Sequence, residues 1–252
     1  MQIKTIINPD CKCCRSFAEE LPGKFADGEL IYSGRNEIRR FHVGDKTVVV
    51  KRFGRMDIIK KIIYTFFRKN KAIRSYRNSM ELLRRDVETP LPIAYVETRR
   101  CGLLDQLYYV SAETKARDLE SEVMDKKTFD HAILSAYGSF VASLHRRGIL
   151  HRDLNRTNAL FYKDGEGKYH FELIDVNRMT FYDCHVPKKE CMENLTLFGP
   201  LTPIYKEILK CYAMAEKWTT EDIQQAIDIK KRHDARWRLR KRITHPFRKM
   251  QY

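Results

Sequence analysis

The hydrophobic pattern changes its period part-way along the chain, and that change limits the fold more than any other feature. From Glu29 to Phe53 the runs ELIYS, EIRRFHV and TVVVKRF are separated by turns at SGRN and GDK, which predicts three short antiparallel strands. From Thr128 to Arg147 the apolar residues Phe129, Ile133, Ala136, Tyr137, Phe140, Val141 and Leu144 recur at helical spacing, and Gly148 supplies a stop. Residues 107–113 (LYYVSAE) read as a buried strand between the two regimes, and the chain from about Lys188 onward reads as helical. The expected fold is therefore α+β: one domain over residues 1–252, with a strand-rich lobe at about 28–112 and a helix-rich lobe at about 114–252.

Charge is unevenly placed. The chain carries 48 Lys and Arg against 33 Asp and Glu, a net +15. Residues 51–77 hold ten basic residues and one acid, Asp57, and residues 230–249 hold ten basic residues and one acid, Asp234, so these two segments carry the whole excess. Positive charge this concentrated implies a polyanionic partner: an anionic membrane surface, a phosphorylated glycan or, as the less favoured option, nucleic acid. Within the first segment, Asp57 to Lys69 places Ile59, Ile62, Ile63 and Phe66 at helical spacing among lysines. That basic amphipathic helix fits either packing on its own protein or lying on an anionic membrane. A second helix is expected from Lys71 to Arg85, ending before TPLPIAYVE, where Pro90 and Pro92 forbid continuation.

The seven cysteines are odd in number and dispersed except for Cys11, Cys13 and Cys14, and no second pair follows to complete a zinc site. Reduced, structural thiols are expected. No apolar run approaches the roughly 20 residues of a membrane-spanning helix. The start, MQIKTIINPDCKCC, also lacks the apolar centre of a signal peptide, so a cytoplasmic location is expected.

The chemistry concentrates in HRDLNRTN, His151 to Asn158, where a long helix delivers the chain into a tight loop between apolar runs. An Asp five residues before an Asn can place a carboxylate near an acceptor hydroxyl and an amide oxygen near a magnesium ion. A second acid, Asp175, ends the apolar run FELID. Lys51 ends the strand TVVVK, where an inward ammonium can neutralise phosphate oxygens.

In this order the residues resemble the protein-kinase-like superfamily: VVVK resembles the nucleotide-binding strand lysine, HRDLNRTN the catalytic loop, and IDV the metal-binding segment. The run through AxRSYxN, TPLPIAYVE, LYYVSAE and LHRRGILHRDLNRTNALF resembles, more narrowly, the lipopolysaccharide kinase family, the Kdo and heptose kinases. The resemblance implies a two-lobed protein-kinase-like fold that uses ATP and Mg²⁺. It implies Asp153 as catalytic base, Asn158 and Asp175 as metal ligands, and Lys51 at the α- and β-phosphates. Glu81 is the candidate partner of Lys51, and Glu113 lies near the adenine by its place on the linking strand. The implied acceptor is a sugar of the lipopolysaccharide inner core at the inner face of the cytoplasmic membrane.

The pattern also departs from protein kinases. The loop SGRNEI has one glycine, Gly34, in place of GxGxxG, leaving Asn36 and backbone N–H groups to close over the nucleotide. After Asp175 the chain reads Val-Asn, and no activation loop or APE segment follows. These features favour a small or glycan acceptor. The rival readings are an atypical RIO-like Ser/Thr protein kinase and a pseudokinase-like module binding RNA or membrane.

Overall fold

The computed structural model describes residues 1–124 and 130–248. The chain divides into two compact units, one of residues 1–115 with 172–178, the other of residues 116–171 with 179 onward. Residues ahead of Gly28 and the segment around Asp175 thus belong to the first unit.

The first unit is built on one antiparallel sheet. Its strands are β1 (Gln2–Ile7), β2 (Glu29–Ser33), β3 (Glu37–Val43), β4 (Lys46–Arg52), β5 (Pro92–Arg100) and β6 (Leu103–Ala112), in the order β1-β5-β6-β4-β3-β2. Strand residues alternate between faces, and the two faces here have different occupants. On one, Val48 and Val50 join Ile93, Ala94, Val96, Tyr108 and Val110 in a core with Ala18 and Leu21 of α1 (Arg15–Lys24). Cys11 and Cys14 are buried in that same core, where burial pushes both thiols above their ordinary pKa. Their CxxC spacing therefore serves packing, as expected for reduced structural thiols.

On the other face, Phe53, Tyr95, Leu104 and Leu107 pack with Ala72 and Tyr76 of α3 (Lys71–Arg84). Asn70 caps α3 by accepting from the Ile73 N–H, and Asn70 is itself held by the buried Glu97 at 2.6 Å. The expected helix at 57–69 is shorter and less regular: α2 (Ile58–Ile62), capped by Asp57, widens into a π-helical turn over Ile63–Phe67. Its apolar residues are largely uncovered. Phe66 is 67% and Phe67 77% exposed, and Ile58, Ile59 and Ile62 are exposed too.

The second unit is mainly helical. It contains β7 (Arg117–Asp118), α4 (Leu119–Met124), α5 (His131–Arg146), β8 (Ile149–His151), β9 (Ala159–Lys163), β11 (Met179–Phe181), α6 (Lys188–Leu195), α7 (Pro203–Ala215) and α8 (Thr220–Arg248). The strand β10 (Tyr169–Leu173) pairs with β9 as the expected hairpin and carries the chain from this unit into the first. Of the long amphipathic stripe, Ile133, Tyr137 and Val141 are buried on α5, while Phe129 lies outside the described residues. Gly138 lets α5 approach α7 closely, since a Cβ there would sit 2.8 Å from the Ile208 carbonyl. Gly148, with φ +70°, ends the helix as expected and leads into β8. Among the described residues no helix is long and apolar enough to cross a membrane.

Candidate active site

In the first unit, Lys51 alternates to the sheet face opposite Val48 and Val50, and its ammonium meets Asp175 at 2.8 Å. Asp175 reaches it because the segment 172–178 is tied down residue by residue. The Leu173 N–H donates to the Glu88 carbonyl (3.0 Å), Thr89 Oγ1 donates to the Leu173 carbonyl (2.7 Å), and Asn78 of α3 donates to the Val176 carbonyl (2.7 Å). Asp175 itself has φ +52°, a left-handed conformation that Asp tolerates better than most residues, and Asn177 donates to its Oδ1 at 2.6 Å. A non-glycine residue held this way is typical of a segment whose surroundings fix it for use.

Further cations gather there. Burial holds the Lys71 ammonium below its usual pKa, and Arg35, Arg74 and Lys51 add like-charge repulsion, with Asp175 pulling the other way. The Nε of Arg74 is buried without a hydrogen-bond partner among the described residues. Lys71 thus has three cations and one carboxylate about it, a group that is mutually repulsive unless a further anion joins it. None of Arg35, Lys71 and Arg74 stood out in the sequence as a site residue. The only signal for Lys71 and Arg74 was the dense charge of residues 51–77, and Arg35 stands in the loop SGRNEI.

The other expected residues of this unit are engaged elsewhere. Glu81 is held by Arg84 and Arg85 at 2.6 Å each, and those guanidiniums, opposed by partial burial, depress its carboxyl to about 2. Lys51 is therefore not paired with Glu81. Glu81 lies on the turn of α3 that carries its own arginines, so the local i,i+3 and i,i+4 pairs capture it. Glu113 pairs with Arg40 at 2.6 Å, which also reaches Glu29, while the Glu113 N–H donates to the Thr47 carbonyl. Asn36 accepts the Gly54 N–H through Oδ1 at 3.2 Å, and its carbonyl accepts the Gly34 N–H at 3.1 Å. The glycine at 34 makes room for Tyr32, whose hydroxyl would lie 2.5 Å from an added Cβ.

The second unit carries the loop that follows β8. The Asp153 N–H donates to His151 Nδ1 at 3.1 Å, and Asn158 donates its side-chain N–H to the Asp153 carbonyl at 2.8 Å. The first bond orients the His151 ring toward the backbone, so it supports the loop. The second uses the amide nitrogen of Asn158, so a metal-ligand role would fall to Oδ1. Behind the loop, Asn194 of α6 donates to the His151 carbonyl (2.8 Å) and meets His145 of α5 through Oδ1 (3.1 Å), while the other ring nitrogen of His145 meets the Tyr212 hydroxyl at 2.8 Å. Burial pushes His145 down to about 4, so the ring is neutral at physiological pH. Asn194 is a support that sequence reasoning missed, because a single Asn in a helix carries no pattern.

A carboxylate at 175 and an amide oxygen at 158 are hard donors of the type Mg²⁺ takes alongside phosphate oxygens. Among the described residues no group of three or more His, Cys, Asp or Glu gathers as a metal cluster.

An antiparallel-sheet unit with a strand lysine paired to an aspartate, and a helical unit with a hydrogen-bonded H-R-D loop, define a protein-kinase-like fold and a kinase. A solved structure of WaaP in complex with acyl carrier protein matches it with TM-score 0.61 at 16% identity, covering 92% of this chain and 98% of that chain. The chain belongs to the lipopolysaccharide kinase (Kdo/WaaP) family, whose sequence profile matches residues 32–230. Two more distant matches are the Rio2 kinase-ADP/Mg²⁺-phosphoaspartate complex from Chaetomium thermophilum (TM-score 0.46, 18% identity, 84% of this chain and 75% of that one) and WbdD (0.46, 14%, 79% and 48%). No curated protein matches in sequence.

Proposed function

We propose that the protein transfers the γ-phosphoryl group of ATP to a hydroxyl of a lipopolysaccharide inner-core sugar. The observation that carries ATP use is the gathering of Lys51, Arg35, Arg74 and Asp175 about Lys71, with Lys51 paired to Asp175, a charge arrangement suited to a polyphosphate. Lys51 neutralises the α- and β-phosphate oxygens, and the cations of α3 and of the β2–β3 turn supply the binding that a Gly-rich loop supplies in protein kinases. Asp175 and Asn158 are the residues that would hold Mg²⁺, which would offset charge on the phosphates. Asp153 accepts the proton of the acceptor hydroxyl as its oxygen bonds to the γ-phosphorus and the bond to the ADP oxygen breaks.

The sugar acceptor rests on family membership, and the place of action on the exposed apolar side of α2 and its π-turn. Ile58, Ile59, Ile62, Phe66 and Phe67 lie uncovered beside Arg68 and Lys69, a combination suited to the anionic cytoplasmic face of a membrane.

The deciding experiment measures label transfer from ATP and Mg²⁺ to unphosphorylated lipopolysaccharide core and to generic peptide, with wild type, Asp153→Ala and Asp175→Ala. Label on the core with wild type alone supports this function. Label on peptide or on the protein itself would instead favour a RIO-like protein kinase, and nucleotide binding without transfer a binding module.

A further inference from the structure

Between Asp153 and Asn158 the loop HRDLNRTN carries a residue to which no role has been given, Arg156. An arginine is almost never buried unless it is paired. Arg156 is 7% exposed, and its Nε meets Glu120 Oε2 at 2.8 Å while Nη2 donates to Glu120 Oε1 at 3.3 Å. Two bonds to one carboxylate hold the guanidinium fork in a single orientation, which one contact would leave free to turn. Glu120 lies on α4, 36 residues away in the chain, so the pair ties the loop to a separate element of the same unit.

The surroundings are fitted to that guanidinium. Gly199, with φ +110°, leaves room for it, since a Cβ there would stand 3.0 Å from Arg156 Nη2. The fully buried Tyr137 of α5 packs on Phe198, and burial pushes its hydroxyl up, with Arg156 and Glu120 acting on it in opposite directions. At the Arg156 end, then, the pair lies beside aromatic side chains, where water competes little for its bonds. Asn194 holds the entry of the loop at the His151 carbonyl, and Arg156 holds its exit, because Arg156 opens the short 3₁₀ turn Arg156–Asn158. In a turn of three residues, a rotation at Arg156 carries Asn158 with it.

We propose that Arg156 and Glu120 are positioning residues for phosphoryl transfer. Their pair fixes the turn that carries Asn158 and, through the bond from Asn158 to the Asp153 carbonyl, the setting of Asp153. Neither side chain touches substrate in this role. The assignment rests on the phosphotransferase reading above. A reacting group misplaced by about 1 Å costs on the order of a hundredfold in rate, so the pair governs kcat and the metal response and leaves nucleotide affinity to the first unit. A pair that served stability alone would lower the melting temperature without separating kcat from KM.

The test compares the full chain with Arg156→Lys, Glu120→Gln and R156K/E120Q. Lysine keeps the charge and loses the fork. Arg156→Lys should lower kcat about thirtyfold or more and raise the Mg²⁺ concentration for half-maximal rate, with the KM for ATP within about twofold. Ile133→Val, at a buried position of α5, is the reference for lost stability alone and should leave kcat within about twofold. The double variant should lose about as much as Arg156→Lys by itself, since either change breaks the same contact. Hydrogen exchange of the free protein reads the loop without turnover. Amides of residues 153–159 should exchange about tenfold faster in Arg156→Lys, and those of α7 at the wild-type rate. Glu120→Gln, isosteric and 30% exposed, carries the same comparison if melting curves find Arg156→Lys unfolded. An unchanged kcat and Mg²⁺ response, losses that multiply in the double variant, or an equal kcat loss in Ile133→Val overturns the assignment. Transfer by wild type with Arg156→Lys unaltered removes the positioning role and keeps the kinase. Faster loop exchange in Arg156→Lys with no transfer by wild type to any acceptor keeps the tie between loop and α4 and removes the kinase.

Discussion

Asn158 donates its side-chain N–H to the backbone carbonyl of Asp153 at 2.8 Å, so the residue proposed as a metal ligand also braces the loop that carries the proposed base. The two roles separate by substitution. Asn158→Ala should lower kcat about a hundredfold or more and shift the Mg²⁺ concentration needed for half-maximal rate upward. Asn158→Asp keeps an oxygen but loses the N–H donor, so it should retain more of the Mg²⁺ response while lowering the melting temperature. Initial rates across a Mg²⁺ series check this, and an unchanged Mg²⁺ response in Asn158→Ala would remove Asn158 from the metal site.

The gathering of cations about Lys71 should be a liability without nucleotide. Lys71 is disfavoured in its charged form by burial and by Arg35 and Arg74, so Lys71→Met should hold or raise the melting temperature of the free protein. The same substitution should raise the KM for ATP about tenfold and reduce the thermal stabilisation that MgATP confers. Thermal shift with and without MgATP reads both effects. If Lys71→Met and wild type gain the same stabilisation, Lys71 takes no part in phosphate binding.

His145 gives the fold a pH dependence of known sign. The folded protein holds the ring neutral, with its pKa lowered to about 4 by burial, while the unfolded chain takes up the proton near pH 6.5. The contribution of His145 is thus complete above about pH 6.5 and is lost as the pH falls toward about 4, amounting to about 2 kcal/mol by pH 5. His145→Gln should be less stable at pH 7.5, because the bonds to Tyr212 and Asn194 suffer, yet show a flatter decline to pH 5. Parallel slopes in chemical denaturation of the two proteins would count against this account.

The apolar side of α2 and its π-turn offers a test of membrane association. Phe66→Asp with Phe67→Asp removes two exposed rings without disturbing a buried core. Sedimentation with vesicles containing anionic lipid should fall about tenfold or more for the double variant, with the melting temperature unchanged. Equal sedimentation would assign these residues to some other contact.

Local chemistry was legible where its parts lie close in the chain. The spacing of His151, Asp153 and Asn158 sets up two bonds inside the loop, from the Asp153 N–H to His151 and from Asn158 to the Asp153 carbonyl, and the alternation in TVVVK puts Lys51 on the face opposite Val48 and Val50. Helix α5 follows from apolar periodicity and its glycine stop, α3 is bounded by the prolines after it, and α7 falls within the stretch from about Lys188 that reads as helical. The strand β1 and the helix α1 were not read from the sequence, because neither has a strong alternation and both depend on pairing with β5 and packing on the sheet.

Partner choice was decided elsewhere. Glu81 and Asp175 are both carboxylates that could meet Lys51, and only the threading of residues 172–178 back into the first unit settles it, through Asn78, Thr89 and Glu88. Periodicity shows that Ile59, Ile62 and Phe66 share a side of a helix. It does not show whether that side is covered, since covering depends on surfaces remote in sequence. The basic run at 230–249 has one composition, but tertiary structure divides it into a buried Lys230 and the exposed Arg232 and Arg236. The sequence by itself determined the chemical groups, their local spacing and the family. The fold alone decided which charges meet, because ion pairing and burial depend on distances between segments that the chain brings together only when it packs.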